Sequence, residues 1–256
     1  MKKFCFTIDD NIRFLQEINA GGYESLFAHP YLTLLRSLHE RYGVKIQANL
    51  FYENQAFSLA EMTDFYKKEW ENCAGWLKLS FHSRKENVRP YENSAYEEVY
   101  RDCSAVRKEI LRFAGKASLG KTTTVHYCAA TQGGVNALRD CGVIGLLGLF
   151  GTEDAPRTSY SRSWEDAGRA RNGEIVRRDG VAFSGIDIIL NNYSPEEISA
   201  FLRKLSDRPF VKIMIHEQFF YPDWAYYEAD FEKRIAAAIE ILQANNFESV
   251  FFEEVL

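Results

Sequence analysis

Phe4-Cys5-Phe6-Thr7-Ile8-Asp9-Asp10-Asn11 decides how the rest of the chain is read. An apolar run that stops at two adjacent carboxylates has the pattern of a buried strand whose C-terminal tip delivers acidic groups into a cleft. Neighbouring Asp side chains at a strand end repel each other unless their roles differ. A cation held by one, with the other left free, separates those roles. An Asp helix cap followed by a polar turn would account for either residue alone, so the later strand ends have to decide.

Those strand ends come at intervals. Residues 11–27 read as a polar loop around Gly21-Gly22, after which Pro30 opens a helix with Leu34, Leu35, Leu38 and Tyr42 on one face and Gly43 at its end. A second strand is expected over 44–50, closing at Asn49 and Glu53, and Ser58-Leu59-Ala60-Glu61 is a capping box that predicts the next helix. Strand three covers 76–81 and ends at His82. A further capping box, Ser94-Ala95-Tyr96-Glu97, precedes Val99, Cys103, Val106, Ile110 and Phe113, the buried face of a long helix. Strand four, 122–125, runs out at His126; a short helix over 132–140 and a buried strand over 143–150 follow.

Between 151 and 185 the rhythm breaks. The turn dipeptides Asn172-Gly173 and Asp179-Gly180 predict an inserted hairpin or lid, and its six Arg and six acidic residues predict a solvated surface. The sheet resumes at 186–190, Ser194-Pro195-Glu196-Glu197 starts a helix, and a strand over 211–215 ends at His216. Phe231, Ile235, Ile239 and Leu242 mark the last long helix, and 250–252 the last strand.

Seven or eight strands, each followed by a helix, imply an α/β fold in which a parallel sheet closes into a barrel, here a single domain over 1–256; an open doubly wound sheet is the alternative. In either architecture function gathers at the C-terminal ends of the strands. His82, His126 and His216 each follow an apolar strand, as do Asp9 and Asp10, so all five groups are expected at one mouth.

Composition excludes several classes of function. A net charge of -5 with no basic stripe argues against a nucleic-acid partner. The apolar run after Lys2-Lys3 is too short for a signal-peptide core, and no stretch approaches the roughly 20 apolar residues of a membrane span. A cytoplasmic protein is therefore expected. Five cysteines without CxxC spacing point to free thiols.

Thr7-Ile8-Asp9-Asp10 resembles the TFDD motif of the NodB-like polysaccharide deacetylases, Phe81-His82-Ser83 resembles the opening of their HSxxH motif, and Ile213-Met214-Ile215-His216 is similar to their last, strand-ending His. The resemblance implies a distorted (β/α)7–8 barrel and a hydrolase that removes an acetyl group from an N- or O-acetylated sugar or polysaccharide precursor. It also implies a divalent metal, zinc first, with nickel, cobalt and manganese as alternatives. By the same resemblance Asp9 is the base, Asp10 and His82 are metal ligands, and His216 is the acid. The chain departs from the family four residues after His82, where Glu86 stands in place of His, so Glu86 or His126 is the third ligand. His126 otherwise lines the pocket. Val125-His126-Tyr127-Cys128 replaces the family's RxPY segment, and Arg89-Pro90-Tyr91 is a loose echo that makes Arg89 a candidate substrate contact.

A carboxylate is expected beside His216. Glu217 points away if the strand continues, which leaves Asp187. Among the aromatics after His216, Tyr221 and Trp224 are the candidates for stacking on a sugar face. Two other classes fit the residues: a metal-independent barrel glycosidase with a carboxylate pair from Asp9, Asp10, Glu53 or Glu253, and a non-catalytic carbohydrate-binding barrel.

Overall fold

The first strand, β1 (Lys2–Asn11), alternates Phe4, Phe6 and Ile8 with Cys5, Thr7 and Asp9, all buried. In a pleated strand these two sets face opposite ways. The apolar set Phe4, Phe6 and Ile8 joins the large core beneath the helices, and the other set faces the interior of a barrel. The computed structural model describes residues 2–86, 88–151 and 159–256, so residues 152–158 of the expected insert lie outside the described residues.

After β1 come α1 (Arg13–Gly21), α2 (Pro30–Tyr42), β2 (Ile46–Phe51), α3 (Lys67–Cys73), β3 (Leu77–Ser83), α4 (Tyr96–Phe113), β4 (Thr122–Thr123), α5 (Gln132–Asp140) and β5 (Gly145–Gly148). Then follow α6 (Trp164–Arg171), β6 (Val176–Arg178), β7 (Val181–Gly185), β8 (Ile188–Ile189), α7 (Pro195–Arg203), β9 (Phe210–His216), α8 (Phe231–Ala244) and β10 (Phe247–Ser249). One sheet has the order β3-β2-β1-β9-β8, with β10 also on β1, and the other the order β4-β5-β7-β6. Every pairing is parallel except β6 with β7.

Main-chain hydrogen bonds join the two sheets at both seams. Leu79 N–H donates to Ser118 O and Gly120 N–H to Leu79 O, each at 2.8 Å. On the other side Ile186 N–H donates to Gly148 O and Asp187 N–H to Lys212 O, each at 2.9 Å. The strands therefore follow one another around a distorted barrel rather than along one continuous ladder. No helix among the described residues is long and apolar enough to cross a membrane. Cys5, Cys73, Cys103 and Cys141 are free thiols.

Several expected elements change. The loop expected after Asn11 contains α1, whose buried face is Phe14, Leu15 and Ile18. Its N-cap, Ile12, has no side chain able to cap; Glu217 supplies the cap instead, accepting from Ile12 N at 2.7 Å, Arg13 N at 3.2 Å and Phe14 N at 2.7 Å. The box at Ser58 encloses only a 3-10 turn, Leu59–Glu61. The box read at Ser94 does not form: α4 starts at Tyr96 behind Ala95, and the Ser94 hydroxyl donates to Pro90 O at 2.8 Å. The last strand lies at Phe247–Ser249, ahead of a 3-10 turn at Phe252–Val255. Within 151–185, Asp179 and Gly180 form the left-handed turn between β6 and β7, and β7 belongs to the barrel wall, running parallel to β5.

Candidate active site

Consecutive strand residues face opposite sides, yet Asp9 and Asp10 both line the same cavity. The backbone resolves this. Asp10 is left-handed, φ 62, and the pairing of β1 with β2 shifts register between Ile8 and Asn11. This bulge turns the second carboxylate back to the mouth, at about 1 kcal/mol for a non-glycine residue of a type that tolerates it.

Asp10 Oδ1 lies 2.9 Å from His82 Nε2 and 3.2 Å from His126 Nδ1, and the two nitrogens are 3.1 Å apart. His82 donates Nδ1–H to Thr124 O, which turns its Nε2 toward this triangle. Gln218 Nε2 donates to Asp10 Oδ2 at 2.7 Å. Among the described residues, Asp10, His82 and His126 form the one group of three that could hold a metal ion. The donors fit such an ion. A tetrahedral cation with bonds of about 2.0–2.1 Å sets its ligand atoms about 3.3–3.4 Å apart, so the triangle needs to open by only a few tenths of an ångström. Two imidazoles and one carboxylate suit zinc, cobalt or nickel better than calcium or magnesium.

The charges are arranged accordingly. Burial acts to raise the Asp10 carboxyl, but the hydrogen bonds from His126 and His82 outweigh it and hold Asp10 well below the usual carboxylate range. Burial acts to lower His82, and the Asp9 and Asp10 charges overcome it, so its pKa rises. Burial pushes Asp9 up to about 6, with His82 and the Asn49 amide pulling back; Asn49 Nδ2 donates to Asp9 Oδ1 at 2.6 Å. His216 ends β9 opposite Asp9 and is lowered, chiefly by burial. Its Nδ1 and its backbone N both engage Asn191 Oδ1, at 3.0 and 2.9 Å.

The cavity is two-lobed. One lobe, of about 240 Å³, holds Asp9, Asp10, His82, His126 and His216. The other, of about 200 Å³, is lined by Phe51, Glu53 and Trp224 among others, and the two share Asp10, Glu86 and Gln218. Glu86 is exposed on this shared rim and lies outside the three-residue group, so the structure brings His126 and not Glu86 to Asp10 and His82.

Other candidates fall away from the chemistry. Asp187 is not beside His216: it pairs with Lys212 at 2.9 Å and with Arg208 at the far end of β9. Tyr221 is buried, its hydroxyl donating to Glu217 Oε1 at 2.7 Å and its ring under the Arg13 guanidinium, so no face is open to a sugar. Arg89 is exposed, paired with Glu92 at 2.8 Å, and lines neither lobe. Glu253 binds Lys78 and Lys121 N at the opposite end of the barrel, which removes one of the four carboxylates of a glycosidase pair, whereas Glu53 lines the second lobe and pairs with Arg84 at 3.1 Å.

Three residues around the site escaped the sequence. Asn49 carried a signal, being polar at a strand end, whereas Asn191 and Gln218 carried none, because each acts from a short turn.

No protein-family model matches the sequence, and no curated protein matches it. Solved structures do. An acetyl xylan esterase of family 4 from Clostridium thermocellum, solved with a cobalt ion, superposes with a TM-score of 0.57 at 12% identity over 99% of this chain and 90% of that one. The polysaccharide deacetylase Bc1974 from Bacillus cereus gives 0.53 at 14% identity, over 100% of this chain and 95% of that one. A 4-alpha-glucanotransferase from Thermococcus litoralis gives 0.61 at 13% identity, over 99% of this chain and 40% of that one. At these identities the likeness is one of fold. The chain carries the NodB-like fold of the family 4 polysaccharide deacetylases, a distorted α/β barrel.

Proposed function

We propose that the protein is a metal-dependent hydrolase that removes an acetyl group from an N- or O-acetylated saccharide. One observation carries this reading: the putting together, in one lobe, of the Asp10, His82 and His126 donor atoms with a second buried carboxylate, Asp9, and an imidazole, His216. The likeness to deacetylase folds supports it.

Asp10, His82 and His126 would hold a divalent cation, zinc or cobalt by donor type, which when bound polarises an acyl carbonyl and makes water more acidic. Asp9 is the general base. It is ionised above about pH 6 and held by Asn49, so its free oxygen takes a proton from water in the lobe. His216 keeps Nδ1–H on Asn191 and works through Nε2. Its lowered pKa leaves it neutral near pH 7, so it takes up the proton that Asp9, opposite it in the register, removed from water, and gives that proton to the departing amine or alkoxide. Trp224, which lines the other lobe, would stack on the sugar.

The test is acetate release from acetylated amino-sugar oligomers and acetylated xylan by cobalt- or zinc-loaded protein. Asp9→Asn is expected to cut kcat by about 100-fold or more with metal content unchanged. Full activity in a metal-replete Asp9→Asn variant would sink the assignment. A saccharide-binding barrel without hydrolysis is the second reading, favoured by the amide at His216 where a carboxylate would have raised its basicity. It predicts saturable saccharide binding and no acetate.

A further inference from the structure

The tip of β9 directs three consecutive residues at the tip of β1. His216 stands opposite Asp9 in the parallel register, Glu217 takes the N–H groups that open α1, and Gln218 donates to Asp10. The last contact divides the Asp10 carboxylate in two. Oδ2 is engaged by the amide at 2.7 Å, and Oδ1 alone faces the imidazole nitrogens of His82 and His126. A carboxylate whose second oxygen is already bonded offers a cation one oxygen and one direction. The amide itself is delivered rigidly, because its 3-10 turn, Glu217–Phe220, is pinned by the buried Glu217 carboxylate.

Gln218 Oε1 is buried and has no hydrogen-bond partner among the described residues. A polar atom left so is destabilising, and an aliphatic side chain of similar size would avoid it. What the amide contributes at this place is therefore its bond to Asp10, which also holds the side chain of a left-handed residue in one orientation.

We infer that Gln218 is the positioning residue of the metal centre, restricting Asp10 to single-oxygen ligation and thereby setting the affinity and coordination number of the bound cation. This rests on the metal reading given above. Residues that orient metal ligands from behind typically change metal affinity by about 10–100-fold when removed.

The test titrates the metal-free full chain with cobalt(II) and follows its visible absorption, a readout independent of turnover. In Gln218→Leu the Kd for cobalt is expected to rise about 10–100-fold. Its visible bands are expected to weaken and move to shorter wavelength, as an Asp10 free to bind through both oxygens raises the coordination number. The melting temperature of the metal-free variant is expected to match the parent, which a purely structural role would not allow. Gln218→Met, which keeps the side-chain length, carries the test if the Leu variant does not fold. Either folded variant binding cobalt with the parent's Kd and spectrum overturns the inference alone; a parent that takes up no cobalt overturns the metal reading and the inference together.

Discussion

At the scale of single residues, Asp9 holds its charge in an unfavourable medium, 1% exposed and pushed up to about 6. The folded chain binds this proton more tightly than the unfolded chain, so the stability of the metal-free protein falls as pH rises from about 4 to about 6 and stays lower above that. Asp9→Asn removes the charge, and above pH 6 it is expected to stabilise the metal-free protein by up to about 3 kcal/mol while lowering the proposed hydrolysis. Thermal melts of both proteins between pH 4 and 8 check the sign, and equal melting curves at pH 8 would refute it. A second residue-scale prediction separates the rival ligands. His126→Ala is expected to lose the cation and Glu86→Ala to retain it, read as bound metal per chain after dialysis.

The Asp pair, His82 and His216 were legible in the sequence because each stands where an apolar run stops, whereas His126 follows a Thr-rich stretch and sits in the turn after β4. The choice between Glu86 and His126 was not. It depends on the chain after β3, where the Arg84 guanidinium reaches Glu53 and the Arg84 N–H reaches the Tyr91 hydroxyl at 2.9 Å, leaving Glu86 exposed at the rim.

At the scale of elements, α1 shows what local reading misses. Phe14, Leu15 and Ile18 have helical spacing, but no Ser, Thr, Asp or Asn precedes them at the cap, and the capping carboxylate arrives from Glu217, 205 positions away from Ile12. Conversely, the box at Ser94 has the right letters and caps nothing, since its hydroxyl is drawn to Pro90 O. The box at Ser194 and its Pro195 do start α7, because both partners lie within the same turn. Glu217→Ala leaves three backbone N–H groups and the Tyr221 hydroxyl without their acceptor. It is expected to cost about 3 kcal/mol in urea unfolding, more than an ordinary exposed cap. A loss below about 1 kcal/mol would show that water replaces the carboxylate.

At the scale of the molecule, the alternation of apolar runs and amphipathic helices announces the barrel, but not its division into two sheets. The strands beside the seams, β4 and β8, have two residues each, too few for any periodicity to show. One seam is held by Asp187, which was expected at the active site. Its N–H reaches Lys212 O, and its carboxylate accepts from Lys212 N at 2.8 Å and pairs with the fully buried Lys212 ammonium. Replacing Asp187 with Leu strands that ammonium and is expected to cost about 3–5 kcal/mol. Equilibrium unfolding checks this, and a variant as stable as the parent would mean that Lys212 has found another counter-charge.

The central place of β1 has a consequence for synthesis. A ribosome releases this strand well before its neighbours β9 and β10, which begin at Phe210 and Phe247. Until β9 emerges, the nascent protein carries an open edge bearing Phe4, Phe6 and Ile8, a template for pairing with other chains. Its yield in a cell is therefore governed by how well that edge is shielded until β9 emerges.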